Sequence, residues 1–316
     1  MTTRVTVAIP VYNGARFLAE AIRTLIAQQH ATVIVLDDAS TDDSVAIARG
    51  FDGVRVVENR ERVGLAGNWN RALALCESEY LVIAHQDDVY APRFVERLAD
   101  MLDRHPRAFA AHCKADTIDE HGRPTRDPAA LYKDRFWPRG APEVEREPED
   151  EIAVLRRGNY VIAPAVMLRM KDAATIGRFD ARYDFVTDWD YWLRGLFAGK
   201  TLAGLSERLI SFRRHAGTAT RVNERTLRRY EEELQLLRAL EARVPAKQPY
   251  RPLENNLLSD FARRLASGDR DGAAALLQFA REHGLGRAGL MRAALAGGRA
   301  AGAALQLAQA LYVRLV

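Results

Sequence analysis

Over its first hundred residues the chain alternates short β-branched runs with helically spaced apolar residues, and nothing else in it restricts the fold so strongly. Val5–Ile9 is a strand-like run, Ala15–Gln28 sets Phe17, Leu18, Ile22, Leu25 and Ile26 at helical spacing, and Val33–Leu36 is strand-like again. That is a βαβ unit. Ser44–Ala48 then reads as a helix, Val54–Val57 as a strand, Gly67–Cys76 as a helix and Tyr80–Ala84 as an apolar strand. Units joined this closely predict an α/β fold, a mostly parallel sheet with helices on both faces. Ligands of such sheets sit beyond the carboxyl ends of the strands, so the loops after Ile9, Leu36 and Ala84 are where chemistry is expected.

Further along, Phe94–Asp103 reads as a helix, Ala108–His112 as a strand and Val161–Leu168 as another apolar run, and Trp189–Phe197 carries a helical face of Trp189, Trp192, Leu193 and Leu196. Residues 119–150 are rich in Pro, Gly and charge with little apolar periodicity, and are expected to be a mobile loop or lid. From Asn223 onward the chain is helical throughout, with Leu227, Tyr230, Leu234, Leu237 and Leu240 three and four residues apart. A separate helical appendage is therefore expected over 223–316.

The 316 residues, 48% hydrophobic and 28% charged, suffice for a large core and a second unit, which excludes disorder, collagen and coiled coil for the whole chain. A net charge of +4 is too small to make nucleic acid an expected partner. Its distribution matters more, because residues 221–316 hold 16 basic and 10 acidic side chains and so carry the whole surplus. Cys76 and Cys113 form neither a CxxC pair nor a framework, which argues against a disulfide scaffold or a thiolate zinc site and for a reducing, cytoplasmic setting. No stretch is apolar enough to span a membrane, and the N-terminus does not read as a secretory signal.

The first strand empties into Pro10-Val11-Tyr12-Asn13-Gly14, where Tyr12 offers a flat face at the ligand end of the sheet, while Asn13 also suits a helix cap. The second ends in Asp37-Asp38-Ala39-Ser40-Thr41-Asp42-Asp43. Ser40, Thr41 or Asp42 suits the cap of the following helix, but adjacent carboxylates at the strand end are better explained if one accepts from a nucleobase N–H. The third apolar strand runs into His85-Gln86-Asp87-Asp88, and neighbouring acids are easiest to sustain when a hard divalent cation takes their oxygens. Asp87 is assigned to the metal. Asp88 is divided between that role and capping the helix containing Phe94.

Thr187-Asp188-Trp189-Asp190 places two carboxylates at the head of an aromatic helix. At i and i+2 they point apart, so one can face a cleft as a general base while the other caps the helix or pairs with Arg194. Arg213-Arg214-His215 closes a strand-like run, and the two arginines raise the odds that His215 serves a phosphate or a metal rather than plain structure.

Taken in order, PVYNG, DDAS, NRERVGLAGNWN, EYLVIAHQDD, TDWDYWLR and FRRH, spread over residues 5–215, resemble the family-2 glycosyltransferases of the GT-A fold. The resemblance implies an inverting transferase that uses a divalent metal, Mn²⁺ or Mg²⁺, to move a sugar from a nucleoside diphosphate to an acceptor hydroxyl. It implies a catalytic domain over 1–222, with a nucleotide-sugar half to about 115 and an acceptor half over 116–222. Carried over, Pro10, Tyr12 and Asn13 line the nucleotide pocket with Gln86, Asp38 reads the base, most often uracil, and Asn70 lies near the donor. Asp87 matches the metal-binding acid, His215 a histidine that completes the metal shell in some relatives, and Asp188 the catalytic base. His85 stands where the usual first Asp would be, which favours Mn²⁺, and Thr187 replaces the Glu that usually precedes the base. Asp88, Asp190, Arg213 and Arg214 are expected in support.

No acidic residue follows Glu282, while Arg287, Arg292, Arg299 and Arg314 punctuate apolar positions. Such a segment either lies on an anionic membrane surface, which suits a lipid-linked acceptor in bacterial polysaccharide or O-antigen assembly, or packs on the catalytic unit or a second subunit as a homodimer. Among rival classes, a sugar-1-phosphate nucleotidyltransferase needs a Gly-rich basic loop that PVYNGAR does not supply, and no GxGxxG serves a dinucleotide. A catalytically silent nucleotide-sugar-binding scaffold stays open because His85 and Thr187 depart from the pattern.

Overall fold

The computed structural model describes residues 3–125, 128–215 and 226–315. Strand β1 (Val5–Val11) is buried along nearly its whole length, as an apolar run flanked by helices on both sides must be. It pairs in parallel with β2 (Ala31–Asp37) and β4 (Tyr80–Ile83), and β2 pairs with β3 (Val54–Glu58). Helices α1 (Ala15–Ile26), α2 (Ser44–Arg49) and α3 (Gly64–Leu75) connect them. Helix α1 turns Phe17, Leu18, Ala21, Ile22 and Leu25 inward, the face its sequence spacing predicts. The register sets Val11 opposite Asp37 and Ala8 opposite Ile83, so the β1, β2 and β4 loops open on one edge of the sheet.

Beyond β4 the sheet continues with β8 (Val166–Arg169), β6 (Ala108–Ile118), β9 (Thr201–Arg213) and the two-residue β5 (Val89–Tyr90), giving the order β3-β2-β1-β4-β8-β6-β9-β5 with β7 (Glu143–Glu145) also on β9. Strands β1, β2, β3, β4, β6 and β9 share one direction, and β5, β7 and β8 oppose them. The remaining helices here are α4 (Phe94–Arg104), α5 (Pro128–Asp134), α6 (Pro148–Leu155), α7 (Met170–Ile176) and α8 (Thr187–Phe197). Helix α3 begins three residues earlier than its apolar pattern indicates, and β6 runs on to Ile118 because β9 pairs with it to that point.

The stretch expected to be a mobile loop or lid is not an irregular loop in the structure. Among its described residues lie α5, β7 and the start of α6. Charges that read as solvated are paired some forty residues back: Glu143 with Arg104 (2.7 Å), Glu145 with His105 (2.6 Å) and Glu147 with Arg107 (2.8 Å). A local sequence pattern does not reveal partners at that separation.

The chain divides into two compact units, one of Met1–Leu155 and Asn159–Thr218, the other of Arg156–Gly158 and Ala219–Val316. The boundary expected at 222 and 223 falls outside the described residues. The second unit contains α9 (Arg228–Arg243), α10 (Arg251–Ser267), α11 (Arg270–Glu282) and α12 (Ala288–Leu315), the last broken at Gly298, where φ is 64°. Asp269 caps α11 by accepting from the Gly272 N–H at 2.9 Å. A Cβ on Gly302 would lie 2.6 Å from the Ala266 backbone nitrogen, so only glycine permits the approach of α12 to α10. No described helix is long and apolar enough to cross a membrane.

Candidate active site

The first two loops bind each other. Asn13 does not cap α1; its Oδ1 accepts from the Thr41 N–H at 2.9 Å and its own N–H donates to Ser40 Oγ at 3.0 Å. The Gly14 N–H reaches Ser44 Oγ (2.9 Å), and the Ala15 N–H reaches Asp42 Oδ2 (3.0 Å). The serine, threonine and aspartate of the DDASTDD run thus tie loop to loop as well as shaping their own turn. Asn13 and Ala39 both adopt positive φ, 49° and 58°, a cost that Asn bears more easily than Ala.

Gln86 joins the third loop to the first. It accepts from the Tyr12 N–H (3.0 Å) and donates to the Tyr12 carbonyl (3.3 Å), and it fills the space a Cβ on Gly14 would need, 2.4 Å from Oε1. One face of the Tyr12 ring carries the Arg62 guanidinium at 3.7 Å. Pro10 lies on β1, half-buried. Buried Asp38 accepts from Asn59 Nδ2 (2.8 Å) and the Val63 N–H (2.8 Å) at Oδ1, and from the Gly64 N–H (2.9 Å) at Oδ2. Its carboxylate therefore fixes the start of α3. Asp37 leaves Oδ1 buried and unpartnered. Asn70 clamps the Phe179 backbone through both ends of its amide, at 2.9 and 2.8 Å.

After β4 the chain gathers His85, Asp87 and Asp88, one ligand atom from each lying within 4.8 Å of the others. The His85 N–H donates to Tyr90 Oη at 2.9 Å, while its Nε2 is buried without a partner. Asp88 does not cap α4. Its Oδ1 accepts from the Arg213 N–H (2.8 Å), and its buried Oδ2 has no hydrogen-bond partner, with His85 Nδ1 at 3.8 Å. Burial, then the adjacent Asp87 charge, pushes the Asp88 carboxyl well above its ordinary range, and burial lowers the His85 imidazole against the pull of Asp87. His215 Nε2 lies 2.9 Å from Asp87 Oδ2. Mixed nitrogen and oxygen ligands with two buried unpartnered atoms fit a divalent cation, Mn²⁺ as well as Mg²⁺.

Arg213 is spent on structure. Its side chain holds the carbonyls of Asp87 (2.8 Å) and Asp119 (3.2 Å) and Glu20 Oε2 (2.7 Å), and lies 4.7 Å over the Phe17 ring. Arg214 lies over Phe212 at 5.0 Å.

Asp188 stands in the first turn of α8, and desolvation raises its proton affinity against the opposing Lys133 charge and the hydrogen bonds it accepts. Its Oδ2 accepts from Asn159 Nδ2 at 2.9 Å and its Oδ1 from the Trp189 N–H at 2.8 Å. Asp190 pairs with Arg194 at 2.8 Å, the i, i+4 pairing that their spacing allows. A file of rings links the two acid clusters: His85 to Trp69 at 6.1 Å, Trp69 to Phe179 at 5.1 Å, and Phe179 stacked on Tyr191 of α8 at 4.2 Å. Sequence reasoning missed Asn159, Arg62 and Tyr90, since each meets its partner only in the fold, Arg62 although it stands inside the NRERVGLAGNWN motif.

Loops at the carboxyl ends of the strands of a nine-stranded sheet carry a His-Asp-Asp cluster, with a half-buried aspartate on helix α8, the end at which α/β sheets bind ligands. Residues 6–159 match the family described as Glycosyl transferase family 2. A putative glycosyltransferase, EpsE of Bacillus subtilis, is 26% identical over 66% of this chain and 73% of its own length. Among solved structures, Staphylococcus aureus TarS 1-349 in complex with UDP-GlcNAc superposes with a TM-score of 0.58 at 15% identity, covering 99% of this chain and 92% of that one. The mannosyltransferase PcManGT of Pyrobaculum calidifontis, in complex with GDP-Man and Mn²⁺, gives 0.54 at 21% identity, over 98% and 86%. The matched part of the chain, residues 6–159, is a family-2 glycosyltransferase sequence, and the chain has the GT-A type of fold. It is a glycosyltransferase enzyme.

Proposed function

We propose that this enzyme moves a sugar from a nucleoside diphosphate, UDP or dTDP, to a hydroxyl of a glycan or lipid-linked acceptor with inversion, in the assembly of a bacterial surface polysaccharide. The observation that carries the reading is Asp188, a half-buried carboxylate of raised proton affinity on a helix that a file of rings connects to the His85-Asp87-Asp88 cluster. Asp188 takes the proton as the acceptor oxygen bonds to the anomeric carbon, and the bond to the diphosphate breaks on the opposite face. One displacement inverts the centre. Asp87, His85, Asp88 and His215 would hold the divalent metal, which supplies neutralising charge to the diphosphate when bound. Pro10, Tyr12, Asn13, Asp38, Asn70 and Gln86 form the nucleotide side, with Asp38 the carboxylate that accepts from the base. The catalytic part is residues 1–222.

Exposed Leu290 and Leu307, on a helix free of acidic residues, support contact of the C-terminal part with an anionic membrane carrying the acceptor. UDP-, dTDP-, GDP- and CMP-linked sugars are to be screened by thermal shift with and without Mn²⁺, on the native chain and on Asp87→Ala. One nucleotide class should stabilise the protein in a metal-dependent way that Asp87→Ala loses. Asp188→Asn should keep that binding and lower transfer about 10²–10⁴-fold. Binding of a donor with no turnover in the native chain would replace the enzyme by a silent nucleotide-sugar scaffold, and binding of none would refute the donor pocket.

A further inference from the structure

We propose that Asn159 is the positioning residue of Asp188, fixing the orientation of the base and its proton affinity through the side-chain N–H it donates to Oδ2. The inference deepens the transferase reading and rests on it for the word base, but not for the contact. Asp188 has two oxygens and two anchors: Oδ1 takes the N–H of Trp189 on its own helix, and Oδ2 takes Asn159 Nδ2, from a residue twenty-nine positions away. The preceding residue does not contribute. Thr187 is buried and turns its hydroxyl back to the Tyr183 carbonyl at 2.7 Å.

Asn159 stands on a rigid footing. Its neighbour Tyr160 is 3% exposed and meets His112 edge-on at 5.5 Å, Trp137 at 6.3 Å and Phe136 at 5.6 Å. Arg146 closes the frame, donating to Tyr160 Oη (3.3 Å), Glu151 Oε2 (2.8 Å) and the Phe136 carbonyl (2.6 Å). Asn159 Oδ1 is buried with no hydrogen-bond partner. A merely structural asparagine would satisfy both ends, as Asn70 does; keeping one end unsatisfied so that the other meets a carboxylate is a cost that function explains.

Several charges on the elements packed against α8, and on α8 itself, are engaged elsewhere. On α6, Glu151 pairs with Arg146; on α7, Asp172 pairs with Lys200 (2.7 Å); on β9, Arg208 pairs with Asp134 and Arg213 with Glu20; and Asp190 on α8 itself pairs with Arg194. Lys133 on α5 is the charge that acts on Asp188, and it lowers the proton affinity, as the Asn159 bond does. Removing the Asn159 donor therefore leaves burial less opposed, and the Asp188 carboxyl should hold its proton more tightly.

The test is a carboxyl-carbon NMR titration of aspartate-labelled full chain, with the Asp188 signal assigned by its loss in Asp188→Asn. In Asn159→Ala the midpoint should rise by about one pH unit, a tenfold gain in proton affinity. Isosteric Asn159→Asp should raise it further by setting a like charge beside it. Asn159→Gln, which keeps a donor, should return part of the shift. With a donor and acceptor in hand, kcat should fall about 10–100-fold while UDP binding stays unchanged and the acid limb of the pH–rate profile moves with the titration. Equal midpoints in all variants, or activity losses that follow only a lowered Tm, overturn the proposal, as does unfolding of both Asn159→Ala and Asn159→Asp. The titration needs no substrate, so a shifted midpoint in a protein that transfers no sugar would sink the transferase reading and leave the Asn159 contact standing.

Discussion

Gly14→Ala isolates the joint between the first and third ligand loops. Gly14 has φ −102° and ψ 6°, which alanine adopts without strain, so the effect must come from the new methyl group. That methyl would lie 2.4 Å from Gln86 Oε1 and 2.6 Å from its amide carbon. Gln86 can swing away, but only by giving up its two bonds to the Tyr12 backbone, at 3.0 and 3.3 Å. Two hydrogen bonds at about 1 kcal/mol each, plus part of the cost of a half-buried Tyr12 N–H left unpaired, make about 2–3 kcal/mol. For a unit of this size that lowers Tm by about 5–10 °C. Differential scanning calorimetry on the native chain, Gly14→Ala, Gln86→Ala and the double variant forms a mutant cycle. In the Gln86→Ala background the added methyl should cost little, because the group it displaces is gone. An equal cost in both backgrounds, or a Gly14→Ala melt within 1 °C or so of native, refutes the reasoning.

Burial holds the His112 imidazole down to about 3, with Arg146 adding to the effect. Because the folded value lies below the unfolded one of about 6.5, the stabilisation it represents is complete above that pH and is lost as pH falls from there toward 3. Denaturant midpoints measured between pH 7 and 4 should fall less steeply in His112→Phe than in the native chain. Arg213→Met removes charged hydrogen bonds to two loop carbonyls and to Glu20, and should cost about 1.5–3 kcal/mol for each charged bond not replaced, read as a lower urea midpoint together with weakened Mn²⁺ binding by calorimetry. Gly302→Ala drives a Cβ against the Ala266 backbone, and should cost about 1–3 kcal/mol as a lower thermal midpoint by circular dichroism.

Much of the fold lies open in the sequence because its core strands are apolar runs and its early helices keep one face apolar, and both patterns are local. Val5–Ile9, Tyr80–Ala84 and Phe94–Asp103 are drawn from spacing alone for that reason, against the observed Val5–Val11, Tyr80–Ile83 and Phe94–Arg104. Residues 119–150 could not, since what orders β7 is its pairing with β9 and with Arg104, His105 and Arg107. Charge reads as solvent-facing until its partner is known.

The candidate site divides in the same way. The sequence by itself determined which residue types gather at the strand ends, the paired acids at 37–38 and 87–88 and the histidines at 85 and 215, and which acids, 188 and 190, head a helix. Only the tertiary structure decided what each one does with its hydrogen bonds. Asp190 went to Arg194 by helical spacing, but Asp88 went to the Arg213 backbone, 125 positions away, rather than to the helix that follows it. Asn159 acquired its carboxylate, and Gln86 its Tyr12 backbone, from elements distant along the chain. The physical reason is that a motif fixes donor and acceptor chemistry, while the burial that makes those bonds obligatory is set by how the sheet and helices close around them.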